Sequence, residues 1–344
     1  MRVHRLDAEK AIRLLTVGNL RNAKLRVKRV QDYVLIPLNI DVNIDDLGKA
    51  LEGVQWAICE DNFEEVSTGR TYKDILRGRI PEHVLSRLPS SFDVIGDIAV
   101  INLKEGANDV LKYGVVIADA LMGVARNVKS VYVSVGGLQG EFRLRALHYL
   151  GGERRTKCVH KEYGIKLRVD IAKAYFNPSL AEEHRRVAEL VKDGELVADL
   201  FAGVGPFTLH IVTKRRAKVF AVDINPDAIK CLLESLKLNR SRLIGEVVAI
   251  AGDASSFISV VRRGAFNRVI MNLPRKALDF LPYVKEAVAV GGVIHVYVIG
   301  ESLEEVLSKV RGELDPGMHI VGATRVLDYS PRKYIFRVDV RRAA

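Results

Sequence analysis

Three acidic residues follow three successive apolar segments in the second half of the chain. Asp199 opens DLFAGVGPF, Asp223 ends VFAVD, and Asp253 follows AIAG. Each acid alone is typical of a helix N-cap or a turn. At the carboxyl ends of neighbouring strands, however, Asp223 could accept both hydroxyl groups of a ribose, and Asp253 could accept an adenine amino group. Together they predict a binding site for a nucleoside-bearing ligand.

The turn after the first acid contains Gly203 and Gly205, which would let a ligand approach the backbone closely. The third glycine of the dinucleotide fingerprint is missing, because Pro-Phe-Thr follows Gly205. Pro206 suits the first turn of the next helix, where no amide proton is needed. A nucleoside ligand without a pyrophosphate cradle favours S-adenosylmethionine over NAD as the cofactor.

A fourth polar group follows the apolar segment RVIM, in Asn272-Leu273-Pro274. An amide buried without a partner is costly, and Pro274 cannot donate a backbone hydrogen bond. Both residues suit the edge of a site where a planar, hydrogen-bonding ligand lies. The alternative is an ordinary turn at the end of a strand.

Two adjacent acids lie upstream, in YFNPSLAEEHRRVAEL. Ser179 and Glu182 have the S-x-x-E spacing of a capping box, which predicts a structural role for Glu182. Glu183 lies on a different face of the same turn, so the capping box gives it no role. The alternative for Glu183 is an ordinary acid at the positive end of a helix.

The elements that must position these residues alternate between strand and helix from about residue 171. This alternation predicts a doubly wound, mostly parallel α/β sheet, which the segment GATRVLDYSPRKYIFRVDV closes as an antiparallel hairpin. Residues 1–65 are predicted to form a small α+β domain, and residues 66–170 a strand-rich α+β domain. A polar segment near residues 61–72 is the predicted linker. The catalytic domain would span residues 171–344.

The composition favours a folded protein with a polyanionic partner. The 344 residues carry a net charge of +11, which favours nucleic acid, although a solvated Lys/Arg surface is the alternative. No apolar segment approaches the ~18–20 residues that span a bilayer, and the N-terminus lacks the apolar core of a signal peptide. We therefore predict a soluble, cytoplasmic protein. Cys59, Cys158 and Cys231 are too few and too scattered for a disulfide framework or a zinc site, and no metal is expected.

Several motifs in order resemble a known family. DLFAGVGPF, DINPDAI and MNLP resemble the class I, Rossmann-like S-adenosylmethionine-dependent methyltransferases. More narrowly, FDVIGDIAVI, EFRLRAL, TKCVHKEYG, VDIAKAYFNPSLAEEHRRVA and RVIMNLPRKALDFL resemble the archaeal and eukaryotic tRNA (guanine-37, N1)-methyltransferases. The resemblance covers roughly residues 90–300. It implies methylation of N1 of guanosine 37, next to the anticodon. It also implies that the first domain contacts the outer corner of the tRNA.

The resemblance also implies catalytic roles. Glu183 aligns with the acid that serves as general base, and Arg143 aligns with an arginine that would stabilise negative charge at guanine O6. Arg145 and Arg155 are alternatives for that arginine. Asn272 would orient the guanine.

The implied substrate-base contacts are Asn272 and Pro274. The implied cofactor contacts are the strand-end acids, the glycine turn and their neighbours: His184, Asp199, Phe201, Gly203, Gly205, Asp223, Ile224, Asp253, Ala254 and Asn272. His184 stands where the family usually has arginine, so its predicted contact with the methionine end of the cofactor would depend on pH.

Two other functions remain open at this stage. A wyosine-pathway enzyme would bind the same cofactor and act at the same position, either by transferring an aminocarboxypropyl group or by methylating a wyosine precursor. A non-catalytic tRNA-binding protein could keep the same fold. No obligate protein partner is evident from the sequence.

Overall fold

The computed structural model describes residues 1–64, 70–103, 107–137 and 140–343. The chain divides into two compact units, Met1–Thr71 and Tyr72–Ala344. This division falls at the end of the segment predicted as a linker, of which residues 65–69 lie outside the described residues. The finer boundary at 170/171 stays a prediction.

The first unit is an antiparallel sheet with two helices. Its strands are β1 (Arg2–His4), β2 (Lys28–Val30), β3 (Tyr33–Leu35) and β4 (Trp56–Ala57), in the order β2-β3-β1-β4. The helices are α1 (Ala8–Val17) and α2 (Ile44–Ala50). Helix α1 buries Ala8, Ala11 and Leu15, whose spacing of three and four residues keeps them on one helical face. That face and Leu47 of α2 form the core of this unit.

The second unit begins with a four-stranded sheet in the order β5-β6-β7-β8. Its strands are β5 (Asp93–Ile95), β6 (Ile98–Leu103), β7 (Ser130–Val135) and β8 (Leu147–Gly152). Strands β6 and β7 are parallel, and the other pairs are antiparallel. The helices of this segment are α3 (Tyr72–Leu76), α4 (Glu82–Leu85), α5 (Ala107–Lys112) and α6 (Gly114–Val124). A separate hairpin follows, formed by β9 (Lys157–Glu162) and β10 (Ile165–Asp170).

A seven-stranded sheet forms the rest of the second unit, in the order β13-β12-β11-β14-β15-β17-β16. Its strands are β11 (Leu196–Asp199), β12 (Lys218–Asp223), β13 (Glu246–Ala251), β14 (Phe266–Met271), β15 (Val288–Gly300), β16 (Met318–Ser330) and β17 (Lys333–Arg342). The first five strands are parallel to one another, and β17 pairs antiparallel with both β15 and β16. The predicted doubly wound sheet with a closing antiparallel hairpin is therefore confirmed.

Six helices accompany this sheet: α7 (Ala181–Leu190), α8 (Pro206–Val212), α9 (Pro226–Leu238), α10 (Ala254–Ser259), α11 (Ala277–Ala287) and α12 (Leu303–Gly312). Short 3-10 turns lie at Pro178–Leu180 and Arg240–Arg242. Strand β14 is buried on both faces, as expected for a central parallel strand. Ile270 packs into the core beneath α7 and α8, whereas Met271 packs into the core on the opposite face.

None of the helices in the described residues is long and apolar enough to cross a membrane. The three cysteines are all free thiols, and two of them, Cys158 and Cys231, are buried.

Candidate active site

The order of the strands brings the predicted polar residues to one edge of the seven-stranded sheet. Strand β11 ends at Asp199, its neighbour β12 ends at Asp223, and Asp253 follows β13. On the other side of β11, Asn272 follows β14. The chain thus reverses its strand order between β11 and β14, and open α/β sheets bind ligands beside such a switch point.

The turn between β11 and α8 requires glycine at two positions. Gly203 has a φ of +56°, and its N–H donates to Oδ2 of Asp223 at 2.7 Å. Gly205, the N-cap of α8, has a φ of +83°, and a Cβ at this position would lie 2.2 Å from Cδ1 of Leu232. The turn therefore exposes backbone without side chains and is tied to the acid of the next strand.

The Asp199 carboxyl is fully buried and only half satisfied. Its Oδ2 accepts a hydrogen bond from the Thr208 hydroxyl at 2.8 Å, whereas its Oδ1 has no hydrogen-bond partner. Burial raises the pKa of Asp199 to about 7, although the Thr208 hydrogen bond acts in the opposite direction. An unpartnered buried acceptor at a strand end is an incomplete arrangement that a cationic group would complete.

Asp223 and Asp253 bind nearby backbone amides. Asp223 accepts from the N–H groups of Gly203 and Asn225, and burial raises its pKa. Asp253 caps α10, accepting from the Ser255 hydroxyl and from the N–H of Ser256, and these bonds lower its pKa. The helix-cap alternative is thus realised for Asp253, and its contact with an adenine stays a prediction.

Three more of the predicted cofactor contacts adjoin these acids in the sequence. Ile224 is 39% exposed, whereas Ala254 is buried at the start of α10. Phe201 is partly buried and packs edge-on against Phe280 of α11, with 5.0 Å between the ring centroids. Of the three, Ile224 is the most exposed.

Asn272 has an amide that the protein leaves free. Its side chain is half-buried and makes no hydrogen bond with any of the described residues. The Leu273 carbonyl accepts from the N–H groups of Lys276 and Ala277, which turns the chain sharply into α11. Pro274 is half-buried in this turn. The amide of Asn272 is therefore held at the strand end with its donors and acceptor available.

The partners of the three candidate arginines differ. Arg145 donates to Asp93 at 2.9 Å, and Arg155 binds Asp97 through both terminal nitrogens. Arg143, in contrast, makes no ion pair within the described residues.

The position of Arg143 relates it to the glycine turn. Its guanidinium carbon lies 5.0 Å from the ring centroid of Tyr175, in a cation–π contact. The carbonyl of Tyr175 is 3.8 Å from the Cβ position of Gly203. Arg143 also has a φ of +53°, which is uncommon for a residue other than glycine. Of the three arginines, this one has an uncommitted charge beside the turn.

Glu183 lies in the first turn of α7 with a 2% exposed side chain. Its Oε1 accepts hydrogen bonds from the Tyr297 hydroxyl and from Nη1 of Arg337, both at 2.7 Å. Its Oε2 is buried and has no hydrogen-bond partner, with Nη1 of Arg186 at 3.6 Å. Sequence reasoning missed Tyr297 and Arg337, because they lie 114 and 154 residues downstream of Glu183.

The capping box predicted at Ser179 and Glu182 is wrong. Helix α7 has Leu180 as its N-cap and no side-chain cap, because Asn177 and Pro178 begin a 3-10 turn that contains Ser179. Glu182 instead binds Arg185.

The ring of His184 faces a buried acid and is only 1% exposed. Its Nδ1 lies 2.9 Å from Oε2 of Glu162, and Nε2 of His210 lies 3.0 Å from the same oxygen. Phe207 contacts the His184 ring edge-on. The structure thus encloses His184 in protein, and its contact with the cofactor stays a prediction.

Glu162, His184 and His210 are also the one group among the described residues that could hold a metal ion, with ligand atoms within 4.8 Å of one another. No motif spacing indicated this group, since its members come from β9, α7 and α8. Burial would raise the pKa of Glu162, but hydrogen bonds from the two histidines outweigh it and hold the pKa at about 2. Both N···O distances are ordinary hydrogen-bond lengths, so each of the two rings can donate to the one carboxylate oxygen.

The chain matches two family models in succession. Residues 158–317 match the TRM5/TYW2 methyltransferase domain, and residues 72–156 match the TYW2 N-terminal domain. The tRNA (guanine(37)-N(1))-methyltransferase Trm5b of Pyrococcus abyssi is 36% identical over 96% of this chain and 94% of its own length. This near full-length similarity decides the family. The chain belongs to the Trm5 family of tRNA (guanine-37, N1)-methyltransferases.

Solved structures agree with this membership. The protein in a solved complex of aTrm5 and tRNALeu matches this chain with a TM-score of 0.68 and 30% identity. The match covers 100% of this chain and 99% of that one. A relative with another substrate is also similar: the tRNA 4-demethylwyosine(37)-methyltransferase Taw21 of Saccharolobus solfataricus is 30% identical over 72% of this chain and 92% of its own length. The Trm5 resemblance drawn from the motifs is confirmed.

Proposed function

We propose that this Trm5 family member transfers the methyl group of S-adenosylmethionine to N1 of guanosine 37 in tRNA. The observation that carries the proposal is the similarity to Trm5b over nearly the whole length of both chains. The strand-end site supports it independently, because its acids, glycine turn and free amide have the chemistry that a nucleoside cofactor and a guanine require.

The residues at the switch point fit S-adenosylmethionine. The unpartnered Oδ1 of Asp199 suits the ammonium group of a methionine, and the glycine turn leaves room for close approach to the backbone. The Asp223 carboxylate keeps lone pairs for ribose hydroxyls, since the protein supplies it with only two backbone donors. When bound, the cofactor supplies a methyl group activated by a sulfonium.

The guanine requires a base, because N1 carries a proton at neutral pH. We assign this role to Glu183, whose Oε2 is the unpartnered oxygen. The N1–H proton would pass to Oε2, and the N1 electron pair would take the methyl group that the bound cofactor supplies, whose sulfur would keep the electrons of the broken carbon–sulfur bond. Because Glu183 is buried, this transfer requires the first turn of α7 to rearrange when the nucleotide enters.

Two further side chains complete the proposed mechanism. The unpaired Arg143 would stabilise the negative charge that develops on O6 as N1 loses its proton. The free amide of Asn272 would pair with the edge of the guanine and hold N1 in line with the methyl group, as Pro274 keeps the turn rigid.

The tRNA is proposed to bind along basic surfaces of both units, with residues 1–65 at its outer corner and residues 66–170 beside the catalytic domain. The net charge of +11 supports a phosphate-dominated interaction. The target guanosine must leave the anticodon-loop stack to reach the strand ends.

The similarity to Taw21 supports one alternative function, which is methylation of a wyosine precursor at the same position. A single experiment separates the candidate activities. Unmodified tRNA with guanosine 37 is incubated with S-adenosylmethionine labelled either in the methyl or in the carboxyl group, and the nucleosides are then identified. A tRNA that carries 4-demethylwyosine at position 37 is tested in parallel, and a matched tRNA with adenosine 37 is the control.

Methyl label in N1-methylguanosine, only with the guanosine-37 tRNA, is the expected result. Carboxyl label in the tRNA would show aminocarboxypropyl transfer instead. Methyl label confined to tRNA that carries 4-demethylwyosine would assign the chain to the Taw21 activity. Tight cofactor binding with no product on any tRNA would indicate a non-catalytic protein.

A further inference from the structure

A network of buried, hydrogen-bonded polar side chains begins at Glu183 and runs along the face of the sheet that α7 covers. Tyr297 of β15 and Arg337 of β17 are direct cross-strand neighbours, and both donate to Oε1 of Glu183 at 2.7 Å. Arg337 in turn donates from Nε to Oδ1 of Asp339 at 2.9 Å. One oxygen of Glu183 is therefore fixed by two donors that belong to two different strands.

The network continues toward Arg268, near the start of β14. Nδ1 of His295 lies 2.6 Å from Oδ1 of Asp339, and Nε2 of His295 lies 2.7 Å from Nη1 of Arg268. Because a guanidinium can only donate, Nε2 of His295 accepts and its Nδ1–H donates to Asp339. Burial lowers the pKa of His295, which agrees with a neutral ring. Arg268 also donates to Glu195 at 2.8 Å and to the carbonyl of Leu190 at 2.8 Å.

The contacts at the two ends of the network show that it holds helix α7 in place. Glu183 is in the first turn of α7 and Leu190 is its last residue, so the helix is bound to the sheet at both ends. The side chains of Arg268 and Arg337 are 7% and 6% exposed, and a buried guanidinium without its carboxylate is costly. Arginine does not release its proton in proteins, so the network cannot relay a proton. Its role is to fix the positions of its charged side chains.

We propose that Arg337 and Tyr297 are positioning residues for Glu183, which hold Oε1 in place and leave Oε2 to accept the proton of guanine N1. This inference rests on the role of Glu183 proposed above. Asp339 holds Arg337 in turn, because it accepts from the same guanidinium.

The other charged groups near Glu183 do not replace this pair. On its own helix, Arg186 lies 3.6 Å from Oε2 but is 42% exposed, so solvent screens it. On the side of α8, His210 is directed to Glu162 and not to Glu183. Tyr297 from β15 and Arg337 from β17 are therefore the donors that hold Oε1 of the base.

The test is the single-turnover rate of methyl transfer to guanosine-37 tRNA as a function of pH. Because the reaction requires a general base, we expect the wild-type rate to rise with pH. We expect Tyr297→Phe to move this rise upward by about one pH unit, since it removes one hydrogen bond to a charged group. Arg337→Gln should move it further, by about one to three units, because it also removes the adjacent opposite charge. Arg337→Lys should restore part of the shift.

Tyr72→Phe is the matched control. Tyr72 is also a buried tyrosine, and its hydroxyl donates to the Pro89 carbonyl, far in sequence from the candidate base. We expect this variant to lose stability without moving the pH profile. If Tyr297→Phe and Arg337→Gln lower the melting temperature but leave the pH profile where it was, they are structural residues and the inference is overturned.

Glu183→Gln separates this inference from the proposal on which it rests. We expect that variant to lose the pH-dependent rise and to make the Tyr297→Phe change silent, because both act through one carboxylate. A Glu183→Gln enzyme with wild-type rate and profile would remove Glu183 as the base, and the positioning role would fall with it. Loss of activity in Glu183→Gln with unshifted Tyr297 and Arg337 variants would overturn the positioning role alone.

Discussion

At the scale of single residues, function is indicated by side chains that the protein leaves without partners. Arg145 and Arg155 are both bound to aspartates, whereas the Arg143 guanidinium lies over an aromatic ring and makes no ion pair with the described residues. The amide of Asn272 has no hydrogen-bond partner among the described residues, although it follows a largely buried strand. Folding alone does not require either group to be uncommitted, so a ligand explains them better than stability does.

Asn272 and Asn267 form a natural pair for a test, because Asn267 lies near the start of β14 and Asn272 follows its end. Asn267 accepts from the Leu196 N–H at 2.8 Å. We expect Asn272→Ala to lower kcat/KM for tRNA about 10- to 100-fold at an unchanged melting temperature, as for a lost transition-state contact. Asn267→Ala should lower the melting temperature and leave the activity of the folded enzyme intact. Equal losses of stability in both variants would contradict this assignment.

The raised pKa of Asp199 predicts how cofactor binding depends on pH. The ammonium of S-adenosylmethionine requires the ionised carboxylate, and protonation competes with it as the pH falls through the pKa of about 7. Affinity measured by calorimetry should therefore fall below pH 7, approaching about tenfold per pH unit for one competing proton. Adenosine, which has no ammonium, is the control ligand and should show no such loss. The same pH dependence for both ligands would show that Asp199 does not contact the methionine end.

At the scale of the elements, the sheet and the order of its motifs could be predicted from the sequence, whereas the contacts among distant elements could not. Alternating apolar segments and helical periods determine a parallel sheet almost by themselves, because the strands must be buried on both faces. Tyr297 and Arg337 carry no local motif, and only the pairing of β15 with β17 brings them to Glu183. The capping box failed because Asn177 caps a 3-10 turn that contains Ser179, so that α7 begins only at Ala181.

The turn into α8 offers a prediction with an internal control. Gly205 and Gly194 both have a φ of +83°, but only Gly205 has a side chain, Leu232, against its Cβ position. Alanine at either position costs about 1 kcal/mol in backbone strain. Gly205→Ala should cost an additional 1–3 kcal/mol, roughly the cost of overpacking, and should weaken S-adenosylmethionine binding. Equal unfolding free energies for the two variants in urea would refute a packed turn.

At the scale of the whole molecule, the charge balance sets the physical character of substrate binding. A net charge of +11 spread over the chain favours many phosphate contacts over a few specific ones. The sequence establishes this balance directly, but it cannot say which cations are free, since several, including Arg145, Arg155 and Arg337, are committed to carboxylates.

Affinity for tRNA should therefore fall steeply with salt. Between 50 and 200 mM monovalent salt, we expect a loss of about tenfold or more, with log K linear in log salt, because each phosphate contact releases condensed cations. Binding of adenosine, which carries no phosphate, should change little over the same range and serves as the control. A tRNA affinity that is insensitive to salt would argue against binding through the phosphate backbone.

The strand order has a consequence for how the enzyme is made. Strand β17 lies between β15 and β16, although it follows both in the chain, and β16 pairs with no other strand among the described residues. On a translating ribosome, β16 must therefore wait outside the sheet until β17 emerges and joins both neighbours. Because Arg337 arrives with β17, Glu183 acquires this partner only after the other six strands of the sheet have been synthesised. A nascent chain can thus form the glycine turn after β11 long before Arg337 holds Glu183 in place.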